Sequence, residues 1–219
     1  MFTYQILIEY DGTNFVGWQR QKNGISIQES IEKVLKKLLK QKVILHGSGR
    51  TDSGVHANEQ SAHFNSIHKI KDNDKFLNSI NFFLNKKKIS ILNIKKRNKL
   101  FHSRYSAKMR IYKYIIINRK SPLSLDFNRA WYVRNILDLD LLKKASKLLI
   151  GTKDFSMFRS SSCGANSPIR TMKSIKIKKD KEKIIFYFKS KSFLQQQVRS
   201  MVGCLRYIGE KKWNIKTFK

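Results

Sequence analysis

Cysteine, proline and acidic residues are scarce in this chain, and each shortage removes a class of protein. Only two cysteines, Cys163 and Cys204, occur in 219 residues, and they form no CxxC pair. A disulfide framework is therefore excluded, and both thiols are expected to stay reduced, as in the cytoplasm. Pro122 and Pro168 are the only prolines, and no Gly/Ser-rich linker divides the chain. No apolar run comes near the roughly 18 residues of a membrane span. Strand-like sequence begins within three residues of the N-terminus, which leaves no room for a signal peptide. The five histidines, at 46, 56, 63, 68 and 102, lack metal-ligand spacing, so no metal is expected. No Gly-Lys-Ser/Thr follows the glycine-rich loop, and no other nucleotide-cofactor motif occurs. No cofactor is expected.

Positive charge is what the chain has in excess. Its 46 Lys and Arg outnumber 15 Asp and Glu, a formal net charge of +31. Such an imbalance concerns partners rather than fold, and a nucleic acid leads among them because phosphate contacts release counterions. Heavy use of Lys, Ile and Asn is also what an AT-rich genome imposes on any protein, so charge alone does not decide. A hydrophobic fraction of 41%, with 14 Phe, is enough for a core and argues against a disordered basic tail.

Periodicity outlines the elements. Residues 3–10 (TYQILIEY) form a strand that ends in the turn Asp11-Gly12. Ser26 to Glu29 has the form of a capping box, and Ile27, Ile31, Val34, Leu35, Leu38 and Leu39 follow on one helical face. Strands are expected at 42–47, 60–64 and 89–94, with a helix at 74–84. That order is β-α-β-β-α-β, the split βαβ unit of ferredoxin-like folds. The second half repeats it, with a strand at 111–118 and a helix at 139–150 opened by Asp138 and Asp140. A hairpin at 169–178 and 183–189 and an amphipathic helix at 194–208 follow. The expectation is an α+β protein of two ferredoxin-like halves, 1–105 and 106–219. The halves are expected to share one mostly antiparallel sheet, with helices on one face and a central basic cleft near 97–110.

The chemistry concentrates at 47–57, GSGRTDSGVHA, where Asp52 follows Arg50 by two residues and glycines surround both. An aspartate in such a loop can simply cap a turn by accepting nearby backbone N–H groups. Alternatively it is a nucleophile, or stabilises a developing cation, with Arg50 orienting it and favouring its charged form. Glu59 is the nearest second acid should two carboxylates be needed. Tyr112 and Tyr114 alternate within a strand and share a face. Their rings serve either core packing or the stacking of an unpaired base, and a phenol can also move a proton. Arg199 interrupts the apolar stripe of the last helix, either as a rim residue or as a cation for phosphate or for Asp52.

Five segments in order carry a resemblance. EYDG at 9–12 with GWQR at 17–20, GRTDSGVH at 49–56, FHSRYSA at 101–107 with RIYKY at 110–114, DFSMF at 154–158, and Val198-Arg199 with Val202-Gly203 resemble the motifs of TruA-type tRNA pseudouridine synthases. The resemblance runs to about residue 209. It implies the pseudouridine synthase fold and an isomerase that converts uridine to pseudouridine in the anticodon arm of tRNA. No metal or cofactor would be needed, and the protein would act as a homodimer. Asp52 would be the nucleophile, attacking C1′ of the ribose or C6 of the base, with Arg50 its ion-pair partner. Tyr112 would be the active-site tyrosine, and Arg199, Gly54, His56 and Arg104 would contact substrate. The family pattern continues through a further helix and a strand resembling Ala-Pro-x-x-Leu-x-Leu, whereas this chain ends at 213–219 (WNIKTFK). A shortened member that binds tRNA without turning it over is the alternative, and a nucleic-acid hydrolase using Asp52 is a more distant one.

Overall fold

The computed structural model describes residues 1–218, and its strands form two separate sheets. The chain divides into two compact units, Met1–Ala107 and Lys108–Lys219. The single sheet expected from the sequence is therefore replaced by one sheet in each unit.

The first unit runs β1 (Phe2–Tyr10), α1 (Ile27–Leu39), β2 (His46–Gly47), β3 (Ala57–Ser66), α2 (Asn73–Leu84) and β4 (Ile89–Arg97). Its strand order is β2-β3-β1-β4, with every pair antiparallel. Alternation along β1 buries Tyr4, Ile6, Ile8 and Tyr10 in one core with Ile27, Ile31 and Leu35 of α1 and Ile80 and Leu84 of α2. Each such aliphatic side chain contributes about 1.5–3 kcal/mol through burial. The hydroxyl of Ser26 caps α1 by accepting the Glu29 N–H at 3.1 Å. Only that half of the capping box forms, because the Glu29 carboxylate pairs with Lys33 at 2.8 Å.

Only His46 and Gly47 of the strand expected at 42–47 join the sheet. The cause lies on α1. Its Glu32 carboxylate accepts the Leu45 N–H at 2.9 Å, and its Gln28 amide donates to the Leu45 carbonyl at 3.1 Å. Val43 and Leu45 are still buried, but helix side chains take the bonds a ladder would use.

The second unit runs β5 (Arg110–Asn118), β6 (Trp131–Val133), α3 (Leu139–Leu148), β7 (Gly151–Asp154), β8 (Ile169–Asp180), β9 (Lys183–Ser190) and α4 (Gln197–Gly209). The order is β6-β5-β9-β8-β7, with β6 parallel to β5 and the other pairs antiparallel. Ile184, Phe186 and Phe188 of β9 share a core with Leu142 of α3 and Met201, Val202 and Leu205 of α4. Asp138 caps α3, accepting the N–H groups of Asp140 and Leu141. The last helix begins at Gln197 rather than 194, since Gln196 takes a left-handed φ of 60° and ends the approach to it. The strands β6 and β7 are too short to show alternation in sequence.

Candidate active site

The loop bearing Asp52 leaves β2 and returns into β3, and it is gripped from both sides. On the β3 side, the Ser48 N–H donates to the Ser61 carbonyl at 2.7 Å, and the Gln60 amide donates to the Gly49 carbonyl at 2.6 Å. On the other side lies the segment that follows β1. Trp18 N–H donates to the Thr51 carbonyl at 3.0 Å, and the Ser53 hydroxyl donates to the Phe15 carbonyl at 3.1 Å. Tyr10, nearly buried at the end of β1, places its hydroxyl 2.8 Å from that of Thr51. Thus Asp52 is fixed through the backbone of its neighbours.

Glycines make this grip possible, though not chiefly those inside the loop. A Cβ on Gly17 would stand 2.7 Å from the Thr51 carbonyl oxygen and 3.2 Å from the carbonyl carbon of Asp52, and Gly17 holds a φ of +117°. A Cβ on Gly12 would stand 2.1 Å from the Val55 carbonyl oxygen. Gly54 differs, since its φ of +74° demands glycine while nothing crowds the space beside it. The close approach is thus made at Gly12 and Gly17, outside the glycine-rich loop that the sequence singles out. Their signal was present, as each belongs to a motif already singled out.

Asp52 itself is half-buried. A turn cap would accept nearby N–H groups, but here Val55 N–H donates to the Asp52 main-chain carbonyl at 3.2 Å and Gly54 N–H lies toward the Phe15 carbonyl at 3.4 Å. Among the described residues no hydrogen bond or ion pair engages the Asp52 carboxylate. Arg50 is exposed, and the ion pair expected between it and Asp52 is not formed. An exposed guanidinium gains little from such a pair, because water screens it. His56 is half-buried, and its Nδ1 lies 3.1 Å both from the Gly12 nitrogen and from Asp11 Oδ1. Glu59 is exposed on β3.

Arg104 lies in the exposed part of the 101–106 turn, also in the first unit, with its guanidinium 5.8 Å from the Tyr105 ring centre. Tyr112 and Arg199 belong to the second unit. Tyr112, on β5, is half-buried and meets Phe193 edge-on, with ring centres 4.8 Å apart. Tyr114, two residues on, packs against Trp131. Burial raises the Tyr114 phenol above its ordinary range, and the Arg199 guanidinium opposes that shift. Arg199 is exposed on α4 and has no carboxylate partner among the described residues. No group of three or more His, Cys, Asp or Glu there could hold a metal ion. No described helix is long and apolar enough to cross a membrane.

A half-buried carboxylate presented bare by a clamped loop has the form of a candidate site built around one acid. A family model described as tRNA pseudouridine synthase matches residues 6–106 and 145–219. The chain belongs to that family. The match includes Asp52, Arg104 and Arg199, while Tyr112 falls in the unmatched stretch between. The tRNA pseudouridine synthase A of Pelagibacter ubique is 61% identical over 219 residues, 100% of this chain and 89% of that protein. The protein of the same name from Ehrlichia canis is 46% identical, over 94% of this chain and 84% of its own length. That of Neorickettsia sennetsu is 43% identical over 95% and 86%.

Proposed function

We propose that this protein isomerises uridine to pseudouridine in the anticodon arm of tRNA, with Asp52 as nucleophile. One observation carries the reading: the loop fixes Asp52 through neighbouring backbone while no described group engages its carboxylate. A carboxylate with its lone pairs unengaged is ready to attack, and a fixed backbone spares the reorganisation that attack would otherwise cost. The target nucleotide must first leave its stack, as it does for other base-modifying enzymes. Asp52 then bonds to the nucleotide as the N1–C1′ bond breaks. The uracil turns, C5 bonds to C1′, the bond to Asp52 breaks and returns its carboxylate, and the C5 proton leaves as N1 gains one, so the atoms balance without a co-substrate.

Arg104 and Arg199 hold phosphate or base, Gly54 and His56 shape the loop beside the nucleotide, and Arg50 contributes a mobile cation near Asp52. The ring of Tyr112 stacks on the base and its phenol assists loss of the C5 proton. Each unit is read as one split βαβ half, a reading favoured by the strand order and antiparallel pairing of the first sheet. The net charge of +31 suits a partner recognised largely through phosphates and shape. The protein works as a homodimer in the cytoplasm, where free thiols such as those of Cys163 and Cys204 persist.

The test is to incubate the protein with anticodon-arm RNA and map pseudouridine, beside Asp52→Ala. Product from the unaltered protein and none from Asp52→Ala, with RNA still bound by both, is the expected result. Binding without product from the unaltered protein would overturn the enzyme reading in favour of a tRNA-binding protein.

A further inference from the structure

Residues 101–106 form a turn with neither helix nor strand, and its hydrogen bonds to the sheet run through the buried Ser103. The turn closes on itself, Ser106 N–H donating to the His102 carbonyl at 2.8 Å. Ser103, 2% exposed, reaches inward. Its backbone N–H donates to His63 Nδ1 at 3.2 Å. Its hydroxyl lies 2.9 Å from the same nitrogen and donates to the carbonyl of His46. His63 sits in the middle of β3, 4% exposed, paired with His46 of β2. A backbone N–H can only donate, so Nδ1 is the acceptor and the ring proton is assigned to Nε2. The ring also packs at the edges of Phe101 and His102, with centres 5.9 and 4.6 Å apart. One imidazole therefore joins the turn that carries Arg104 to the strand into which the Asp52 loop returns.

We propose that His63 is a positioning residue, whose Nδ1 holds Ser103 and thereby sets Arg104 in register with the Asp52 loop. The inference rests on the reading of Arg104 as a substrate contact. The His63 bond acts on the backbone immediately before Arg104, beside the Ser103 hydroxyl on the His46 carbonyl and the packing of Phe101 and His102, and removing it loosens that backbone. Losing the tether then lowers productive binding of RNA more than it lowers the chemical step.

Steady-state kinetics on anticodon-arm RNA test this with four variants. His63→Phe keeps a buried ring and removes the acceptor; it should raise KM about tenfold and leave kcat within about twofold. His63→Asn restores a polar atom near the place of Nδ1 and should bring KM back to within about threefold of the parent. Arg104→Ala should raise KM by itself, and adding His63→Phe to it should change nothing further, since both act through one side chain. Should His63→Phe not fold, His63→Gln, which moves its polar atoms outward by one methylene, takes its place. An unchanged KM in His63→Phe beside a raised one in Arg104→Ala overturns the positioning role alone. Equal increments from His63→Phe with and without Arg104 overturn it as well. An unchanged KM in Arg104→Ala overturns the substrate-contact reading and the inference with it.

Discussion

Gly17→Ala is the sharpest perturbation of the loop that does not touch the loop. Alanine must adopt a φ of +117°, and its methyl must stand 2.7 Å from the Thr51 carbonyl oxygen and 3.2 Å from the carbonyl carbon of Asp52. The backbone conformation alone costs about 1–2 kcal/mol. Overpacking adds about 1–3 kcal/mol, because the obstacle is main chain that Trp18 N–H already holds at 3.0 Å. The sum, about 2–5 kcal/mol, lowers Tm by roughly 4–20 °C for a chain of this length. Displacing the Asp52 backbone by even part of an ångström should also cut turnover by about 10- to 100-fold. Two glycines serve as controls. Gly54→Ala has open space and a φ of +74°, so it should lose only about 1–2 kcal/mol. Gly203, inside α4 with nothing within 4 Å of its added Cβ, should gain about 0.5–1 kcal/mol on changing to alanine. Thermal melts and pseudouridine formation on the three variants give the answer. The reasoning fails if Gly17→Ala melts no lower than Gly54→Ala.

Tyr112→Phe keeps the edge-on packing against Phe193 and removes only the phenol, so it should lower kcat at least about tenfold with RNA affinity within about twofold. Full activity would remove the hydroxyl from the reaction. Burial, together with the neighbouring His102 and His46, lowers His63 to about 4 from an ordinary 6.5. Above pH 6.5 both folded and unfolded chains are neutral there, whereas between 6.5 and 4 only the unfolded chain takes up the proton. Stability should therefore fall by about 2 kcal/mol from pH 7 to pH 5, read as the urea midpoint, and His63→Asn should flatten that slope. An equal slope in both proteins would assign the acid sensitivity to other groups.

The sequence made the long periodic elements legible and hid what depends on contacts between distant residues. The alternation along β1 and the apolar stripe of α1 each report burial directly, because their periods match one buried face. Residues 42–47 carry the same strand-like composition, yet most of them stay outside the sheet. What decides is Gln28 and Glu32, a helix away, taking the Leu45 backbone. Composition cannot show that competition. The Asp52 motif was legible as a candidate site, but its neighbour Arg50 invited an ion pair that an exposed guanidinium has little reason to keep. The cluster of His46, His63 and Ser103 was invisible, since 40 residues separate the bonded partners His63 and Ser103.

Rigidity and bareness at Asp52 have a common origin. The bonds that hold its loop use main-chain groups of Ser48, Gly49, Thr51 and Val55 and the hydroxyl of Ser53. A side-chain clamp on the carboxylate would fix it as well but would occupy the lone pairs that the proposed attack requires. Leaving a half-buried carboxylate without a protein partner costs stability, since desolvation is then uncompensated. The compensation lies in the segment that does the holding, where Tyr10, Phe15 and Trp18 are buried in the same core as β1 and α1. Gly12 and Gly17 let that segment approach closely enough for its backbone to serve. The stability of the first unit's core and the readiness of its acid are therefore set by the same few residues, Gly12 to Trp18, and a change there should alter both together.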